Sequence, residues 1–253
     1  MIERRTVLKG LAGVPLSVIL TNPELARAAA LATSLVTIST RSGREVSGAL
    51  ALPARTPAPV VLLVHEWWGL NDQIRAVAAE LADQGYVALA VDLFDGHVAD
   101  TPEAAKAQTQ AVDPKIAGEI MAAWVDWAVH DSHGNGKAGL MGWCFGGGWA
   151  LNGSVLAPVD ATVVYYGKCD LPADQLAHLK GPVLGHFATR DKYIDKPMVG
   201  RFEDAMHQAR KPYQVHWYEA DHAFANPTGQ NYERPEAQQA WERTAAFLAA
   251  NLR

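Results

Sequence analysis

The stretch Gly142-Trp143-Cys144-Phe145-Gly146-Gly147 decides the fold that this sequence predicts. It follows a strand-like segment at residues 137–141 and precedes a helical pattern. A nucleophile placed between a strand and a helix sits on a sharp turn with strained torsions, and the neighbouring glycines leave room for both elements. The motif therefore predicts that Cys144 projects into a cleft as a nucleophile, facing the partial positive charge of a helix N-terminus. A buried core cysteine is the alternative interpretation.

Strand-like and helix-like segments alternate on both sides of this motif. Residues 35–39 and 46–52 predict a hairpin of edge strands, and the apolar run 60–64 is typical of a strand buried on both faces. Further strands are predicted at residues 86–91, 159–166, 183–188 and 214–218. The pattern indicates an α/β fold with a mainly parallel sheet of about eight strands flanked by helices.

Asp191 and His222 follow two of the later strands, in the order nucleophile, acid, histidine that an α/β-hydrolase fold requires. His222 can receive the thiol proton, and Asp191 can hold the imidazole in the required tautomer. Asp195 and Asp221 are rival acids, and Asp191 is favoured because it lies closer to the preceding strand end. Taken alone, Asp191 could also cap a helix, and His222 could be an ordinary loop residue.

With these residues in place, the sequence resembles the dienelactone hydrolase family, also called carboxymethylenebutenolidases. The resemblance covers residues 35–252 and implies the α/β-hydrolase fold and hydrolysis of ester or lactone bonds. The further matching segments are His65-Glu66-Trp67-Trp68-Gly69-Leu70, Asp92-Leu93-Phe94, Tyr165-Tyr166-Gly167, His216-Trp217-Tyr218 and His222-Ala223-Phe224.

The resemblance implies a catalytic triad of Cys144, His222 and Asp191, with Glu66 as a fourth member that contacts the cysteine. A carboxylate beside a thiolate disfavours both charges, so Glu66 would keep the thiol protonated until substrate binds. A salt bridge at the sheet edge is the alternative role for Glu66.

The resemblance also implies an oxyanion hole formed by the backbone N–H groups of Trp67 and Phe145. Aromatic residues at the strand ends predict an aromatic-walled cleft. Core packing is the alternative for any single one of them. The residues expected to bind substrate are Trp68, Trp143, Tyr165, Tyr166 and Phe224.

Two arginines that hold the substrate carboxylate in family members acting on dienelactone are missing. The corresponding stretches read Asp95-Gly96-His97 and Ala225-Asn226. Burying a carboxylate without a cationic partner is costly, so dienelactone itself is not the expected substrate. The aromatic-walled cleft instead predicts apolar or aromatic esters. Whether His97, Arg190 or Lys192 substitutes for the arginines stays open.

No cofactor and no metal are expected. The segment beginning His65-Glu66 matches the zinc-binding HExxH pattern only in its first two residues, because Gly69 stands where the second histidine would be. Cys169 also follows a strand end, and a disulfide or redox pair with Cys144 stays open as a minor alternative.

Residues 1–30 have the order of an export signal, with an apolar run at 11–20 followed by small residues at 26–30. The run is shorter than the about 20 residues of a membrane span, so no stable span is expected after signal removal. The basic residues that precede it are Arg4, Arg5 and Lys9.

The paired arginines resemble a twin-arginine signal, but Glu3 and Val7 match its common form poorly, so ordinary secretion stays open. Either route predicts a periplasmic protein in which residues 31–253 form a single α/β-hydrolase catalytic domain. An uncleaved helical extension is the alternative.

The composition agrees with one globular domain of 253 residues, of which 49% are hydrophobic and 19% charged. A net charge of -5 offers no basic surface for nucleic acid, so we expect the partner to be a small-molecule ester or lactone. The protein is expected to be a monomer. The alternative function is an exported ligand-binding module that keeps the fold but turns nothing over.

Overall fold

The computed structural model describes residues 16–253, and within them it has eight β-strands and nine α-helices. The strands are β1 (Ser34–Ser39), β2 (Glu45–Ala51), β3 (Ala58–Val64), β4 (Val87–Val91), β5 (Gly134–Trp143), β6 (Ala161–Tyr165), β7 (Val183–Ala188) and β8 (Tyr213–Tyr218). The helices are α1 (Leu16–Thr21), α2 (Pro23–Ala30), α3 (Asp72–Asp83), α4 (Pro102–Gln110), α5 (Pro114–His130), α6 (Phe145–Leu156), α7 (Ala173–Leu176), α8 (Lys196–Ala209) and α9 (Arg234–Leu252).

All eight strands form one sheet in the order β1-β2-β4-β3-β5-β6-β7-β8. The β1–β2 hairpin joins β4 in antiparallel fashion, and the strands from β4 to β8 run parallel to one another. The predicted fold class, strand number and edge hairpin are therefore confirmed. Because parallel strands end at the same edge, the loops that follow β3, β5, β7 and β8 meet there.

The apolar runs form the central strands because helices cover both faces of the sheet. Every residue of β3 is buried. Val61 and Leu63 pack with α3 and α9, whereas Val60 and Leu62 pack with α5 on the other face. Each fully buried side chain of this kind contributes about 1.5–3 kcal/mol, so the core holds the carboxyl edge of the sheet rigidly.

Helix α4 was not predicted from the sequence. Only Ala105 of this helix is buried, so it has no apolar stripe that the sequence could reveal. Its start is set by Thr101, whose hydroxyl accepts a hydrogen bond from the Ala104 N–H, and by Pro102 in the first turn.

The N-terminal helices α1 and α2 pack on the domain, with Ile19, Leu20 and Ala29 buried in the same cluster as α3. The basic residues of the predicted export signal and the first part of its apolar run lie outside the described residues. The signal and its removal stay predictions. From residue 16 onward, the structure contains no helix with the length and apolar character needed to cross a membrane.

Candidate active site

Cys144 occupies the turn between β5 and α6 with a φ of 52° and a ψ of -117°. This left-handed backbone is strained for a residue with a side chain. A side chain at Gly142 would collide with the Gly146 carbonyl, and one at Gly146 would collide with the carbonyls of Val64 and His65. The glycines therefore allow α6 to start directly against the ends of β5 and β3, with the thiol partly exposed above them.

A continuous chain of contacts links the thiol to a carboxylate. The Sγ atom of Cys144 lies 3.1 Å from Nε2 of His222, and Nδ1 of the same imidazole lies 2.6 Å from Oδ2 of Asp191. His222 follows β8 and Asp191 follows β7, so residues far apart in sequence meet at one sheet edge. This arrangement can move a proton from the thiol to the imidazole.

Asp191 is fixed by its own loop. Its Oδ1 atom accepts hydrogen bonds from the N–H groups of Tyr193, at 2.8 Å, and Ile194, at 3.0 Å. Burial opposes the charged carboxylate, but His222 and these N–H groups lower the pKa of Asp191. The rival acids have other roles, because Asp195 caps α8 through the Met198 N–H and Asp221 pairs with Arg190 at 3.1 Å.

His222 is held from its backbone as well as from its ring. The side-chain amide of Asn231 donates to the His222 carbonyl at 2.9 Å. Burial favours the neutral imidazole, but the hydrogen bonds that the ring donates to Asp191 and Cys144 outweigh it and raise the pKa of His222 to about 10. The ring is therefore well suited to accept and keep the thiol proton.

Glu66 is buried beside this chain of contacts, but its hydrogen-bond partners in residues 16–253 are Asn226 and Tyr166 rather than Cys144. The Tyr166 hydroxyl donates to Oε1 at 3.3 Å, and the Asn226 amide donates to Oε2. Burial raises the pKa of Glu66 to about 7, against the opposing effects of His222, Asn226 and Tyr166. The structure thus places Glu66 at the site without a direct bond to the thiol.

The backbone N–H groups of Trp67 and Phe145 are both available to a ligand. Phe145 is the first residue of α6, where an N–H has no intrahelical acceptor. Within the described chain, neither N–H donates to another protein group. The two groups follow β3 and β5, which are adjacent in the sheet, and Gly146 lets the start of α6 lie against the end of β3.

Three residues that the sequence predicted as substrate-binding lie in the core instead. The Tyr165 hydroxyl is 2.6 Å from Oγ1 of Thr244 in α9, and the Tyr165 ring stacks on Trp143 at 5.5 Å. Phe224 is fully buried against Tyr166 and Tyr218. The physical reason is that neighbouring strand residues point to opposite faces, so Tyr165 turns toward α9.

Tyr166 and Trp68 stay near the site. The Tyr166 ring lies 5.2 Å from the His222 ring, edge to face, but it is fully buried, so it supports the site from behind. Trp68 is partly exposed and contacts Trp67 at 5.0 Å. The partly exposed rings of Phe145 and Trp149 extend the aromatic surface from α6.

Sequence reasoning missed the roles of Asn226 and Tyr193. Asn226 hydrogen-bonds to Glu66, which lies 160 positions away in the chain. In the sequence, Asn226 stands out only because an arginine is absent there. Tyr193 is 74% exposed, and its ring lies 5.2 Å from that of His222 at the mouth of the site. The sequence signal that Tyr193 lies near the site is its position two residues after Asp191.

Both cysteines are free, and burial raises the pKa of Cys169 to about 12. Among residues 16–253, no group of three or more His, Cys, Asp or Glu side chains could hold a metal ion. Of the cations considered as replacements for the missing arginines, Arg190 is paired with Asp221, while His97 and Lys192 are exposed.

A mainly parallel sheet, with a cysteine on the β5–α6 turn and an acid and a histidine after β7 and β8, defines the α/β-hydrolase class. Comparison with known proteins gives the family. The model of the "Dienelactone hydrolase family" matches residues 46–252, and the chain belongs to this family of hydrolases.

Individual relatives agree with this family. The carboxymethylenebutenolidase of Pseudomonas putida is 31% identical over 225 residues, covering 85% of this chain and 95% of the relative. The carboxymethylenebutenolidase of Pseudomonas sp. strain P51 is 27% identical, covering 84% and 93%. The crystal structure of dienelactone hydrolase from Anabaena variabilis has a TM-score of 0.65 at 24% identity, covering 88% of this chain and all of that one, and it shows the shared fold.

Proposed function

We propose that this protein is a thiol-dependent hydrolase of ester or lactone bonds that works through an acyl-enzyme on Cys144. The observation that carries the proposal is the unbroken contact from Sγ of Cys144 through the imidazole of His222 to Asp191, at 3.1 and 2.6 Å. Family membership supports the hydrolytic chemistry.

In the acylation step, Nε2 of His222 takes the proton of the Cys144 thiol, and Sγ forms a bond to the substrate carbonyl carbon. The carbonyl π electrons move to oxygen, which the N–H groups of Trp67 and Phe145 stabilise. The electrons return, the bond to the leaving alkoxide oxygen breaks, and His222 gives that oxygen its proton. A thioester remains on Cys144.

In the deacylation step, His222 removes a proton from water, and the hydroxide oxygen bonds to the thioester carbon. The carbon–sulfur bond then breaks, the acid is released, and the thiolate regains the proton from His222. Asp191 stays ionised throughout, since its hydrogen bonds lower its pKa, and it stabilises the charged imidazole in both steps.

We infer that the substrate is neutral near its reacting group. Glu66 is a buried carboxyl whose pKa of about 7 leaves it partly charged at neutral pH, and Asn226 is already bonded to it. A second carboxylate at this position would meet the like charge of Glu66, which is unfavourable. Aromatic side chains at the mouth favour apolar or aryl esters and lactones.

The test is a panel of aryl esters and lactones in matched neutral and carboxylated pairs, run with the wild type, Cys144→Ser and Cys144→Ala. We expect a burst of alcohol release with activated neutral esters, mass addition of the acyl group at Cys144, and weaker turnover of each carboxylated partner. Full turnover by Cys144→Ala would exclude the mechanism. Tight binding of an ester without hydrolysis would favour the ligand-binding alternative.

We also propose that the protein is exported, on the strength of the signal-like pattern in residues 1–30. Cell fractionation with N-terminal sequencing of the mature chain tests this. A periplasmic chain starting near residues 28–31 is expected, and a full-length cytoplasmic chain would exclude it.

A further inference from the structure

His65 is a fully buried histidine that lies just before Glu66 at the end of β3. Its Nε2 atom accepts a hydrogen bond from the Leu93 N–H at 3.1 Å. A ring nitrogen that accepts carries no proton, so the single proton of the neutral ring is on Nδ1. Nδ1 lies 2.6 Å from the Glu66 carbonyl oxygen and therefore donates to it.

The surroundings of His65 keep this arrangement fixed. Burial lowers the pKa of His65, although the Glu66 carbonyl and Asp92 act in the opposite direction, so the ring stays neutral at neutral pH. The rings of Phe94, at 4.7 Å, and Phe145, at 6.1 Å, pack against it. Because a backbone N–H occupies Nε2, the imidazole has one tautomer and one orientation.

The carbonyl that His65 binds belongs to the same peptide unit as the Trp67 N–H. In a trans peptide the C=O and N–H point in opposite directions, so fixing the Glu66 carbonyl toward His65 fixes the Trp67 N–H away from it. The Gly69 N–H also donates to the Glu66 carbonyl, at 3.3 Å. On the other side of Trp67, its own carbonyl accepts from the side chain of Gln108 at 2.5 Å.

A hydrogen bond to an amide oxygen polarises the whole peptide and makes its N–H a better donor. We propose that His65 is a positioning residue that orients and strengthens the Trp67 N–H as an oxyanion donor. This inference rests on the proposed function, because it takes that N–H to be one of the two oxyanion donors. It gives the histidine of the His65-Glu66 segment a role that involves no metal.

A purely structural role makes a different prediction. If His65 only fills the core and binds Leu93, replacing it lowers the stability of the protein but leaves the electronic state of a bound acyl group unchanged. If it acts through the Glu66–Trp67 peptide, replacing it weakens polarisation of the acyl carbonyl. A cinnamoyl thioester on Cys144 reports this directly, because its absorption maximum moves to longer wavelength when its carbonyl oxygen is polarised.

The experiment compares His65→Leu with His65→Gln, whose amide can both donate and accept, and with His186→Leu as a matched control. His186 is equally buried but binds Tyr218 and Thr244 under α9. We expect the red shift of the wild-type acyl-enzyme to be largely lost in His65→Leu and kept in the other two variants. We also expect kcat of His65→Leu to fall roughly 10-fold at little-changed KM, less than the 100-fold or more for losing a donor outright.

A folded His65→Leu variant with the wild-type absorption maximum would overturn the inference. If the variant does not fold, nitrogen-15 NMR of histidine in the wild type decides: a proton on Nδ1, a bare Nε2 and no titration between pH 5 and 8 are expected, and the opposite tautomer would overturn the inference. A wild type that traps no cinnamoyl group on Cys144 would contradict the proposed thiol chemistry, while the tautomer would still test His65.

Discussion

Two polar clusters lie along the same three strands, and the pKa of the histidine in one cluster is raised while that in the other is lowered. Strands β6, β7 and β8 lead to Tyr166, Asp191 and His222 at the carboxyl edge of the sheet. The same strands carry three members of a second cluster under α9, which we call the helix-side cluster, and α9 itself supplies the other two. Its residues are Tyr165, His186, Tyr218, Arg243 and Thr244.

Each cluster is built around a histidine, fully buried in the case of His186 and partly exposed in the case of His222, and the partners of the two rings differ. His186 lies 2.8 Å from the Tyr218 hydroxyl and 3.0 Å from Oγ1 of Thr244, and burial, together with His216 and Arg243, lowers its pKa well below the ordinary value. His222 has a carboxylate and a thiol as partners, and its pKa is raised. A nearby carboxylate, rather than burial, therefore makes one imidazole able to hold a proton while the other stays neutral.

The largest expected effect comes from removing the Cys144 thiol, which contacts His222. In Cys144→Ala we expect ester turnover to fall ~10⁴-fold or more, because no other group in the site can form the acyl-enzyme. Steady-state kinetics with an activated aryl ester measures the loss. Cys169→Ala serves as the matched control, since that thiol is fully buried in another cluster, and it should keep wild-type turnover. Equal losses in the two variants would contradict the assignment.

Asp191→Asn tests whether the carboxylate is what distinguishes His222 from His186. The amide keeps the size of the side chain but removes its charge, so we expect the pKa of His222 to fall and kcat to drop ~10²- to 10⁴-fold. The pH profile of kcat and histidine NMR measure both changes. Asp195→Asn is the control on the same loop, because asparagine caps a helix as well as aspartate does. Wild-type kinetics in Asp191→Asn would show that another acid acts.

Glu66→Gln tests how a buried carboxyl with a raised pKa makes the free energy of unfolding depend on pH. The pKa of Glu66 is raised by burial from its ordinary 4.5 to about 7, so its favourable contribution is complete below pH 4.5 and is lost as pH rises through 7. The loss corresponds to about 3 kcal/mol. Urea unfolding should therefore show Glu66→Gln gaining stability over the wild type as pH rises from 4.5 to 8. Parallel pH curves for Glu66→Gln and wild type would contradict the buried carboxyl with its raised pKa.

The sequence predicted the reactive cluster better than the helix-side cluster, for a physical reason. Cys144, Asp191 and His222 follow strand ends in a fixed order, and parallel strands bring such positions together whatever their exact register. Tyr165 and Tyr166 both lie at the end of this strand, so the sequence predicts that both line the cleft, and only the packing of α9 reveals which face each ring occupies.

Contacts between distant loops left no sequence signal at all. Asn226 binds Glu66 because two loops happen to meet at the sheet edge, and no periodicity or motif marks that pair. Gln108 donates a hydrogen bond to the Trp67 carbonyl from α4. This helix is mostly exposed and has no apolar stripe, so the sequence pattern does not predict it. The chemistry of the site could be predicted from strand ends, whereas its supporting contacts required the packed structure.

The smallest expected effect separates stability from catalysis in the helix-side cluster. Oγ1 of Thr244 bridges the Tyr165 hydroxyl at 2.6 Å and His186 at 3.0 Å, and all three residues are buried. Thr244→Val keeps the shape of the side chain but leaves two polar groups short of a partner, which should cost roughly 1–3 kcal/mol of unfolding free energy. Urea denaturation measures that loss, and aryl ester turnover should stay at the wild-type value.

Thr37→Val is the control, because the Thr37 hydroxyl makes an exposed bond to Ser47 on the edge hairpin. This variant should change neither the unfolding free energy nor the turnover. A fall in kcat of Thr244→Val without a fall in stability would mean that the two clusters are coupled through β6 and β7, and that the helix-side cluster takes part in setting the geometry of His222.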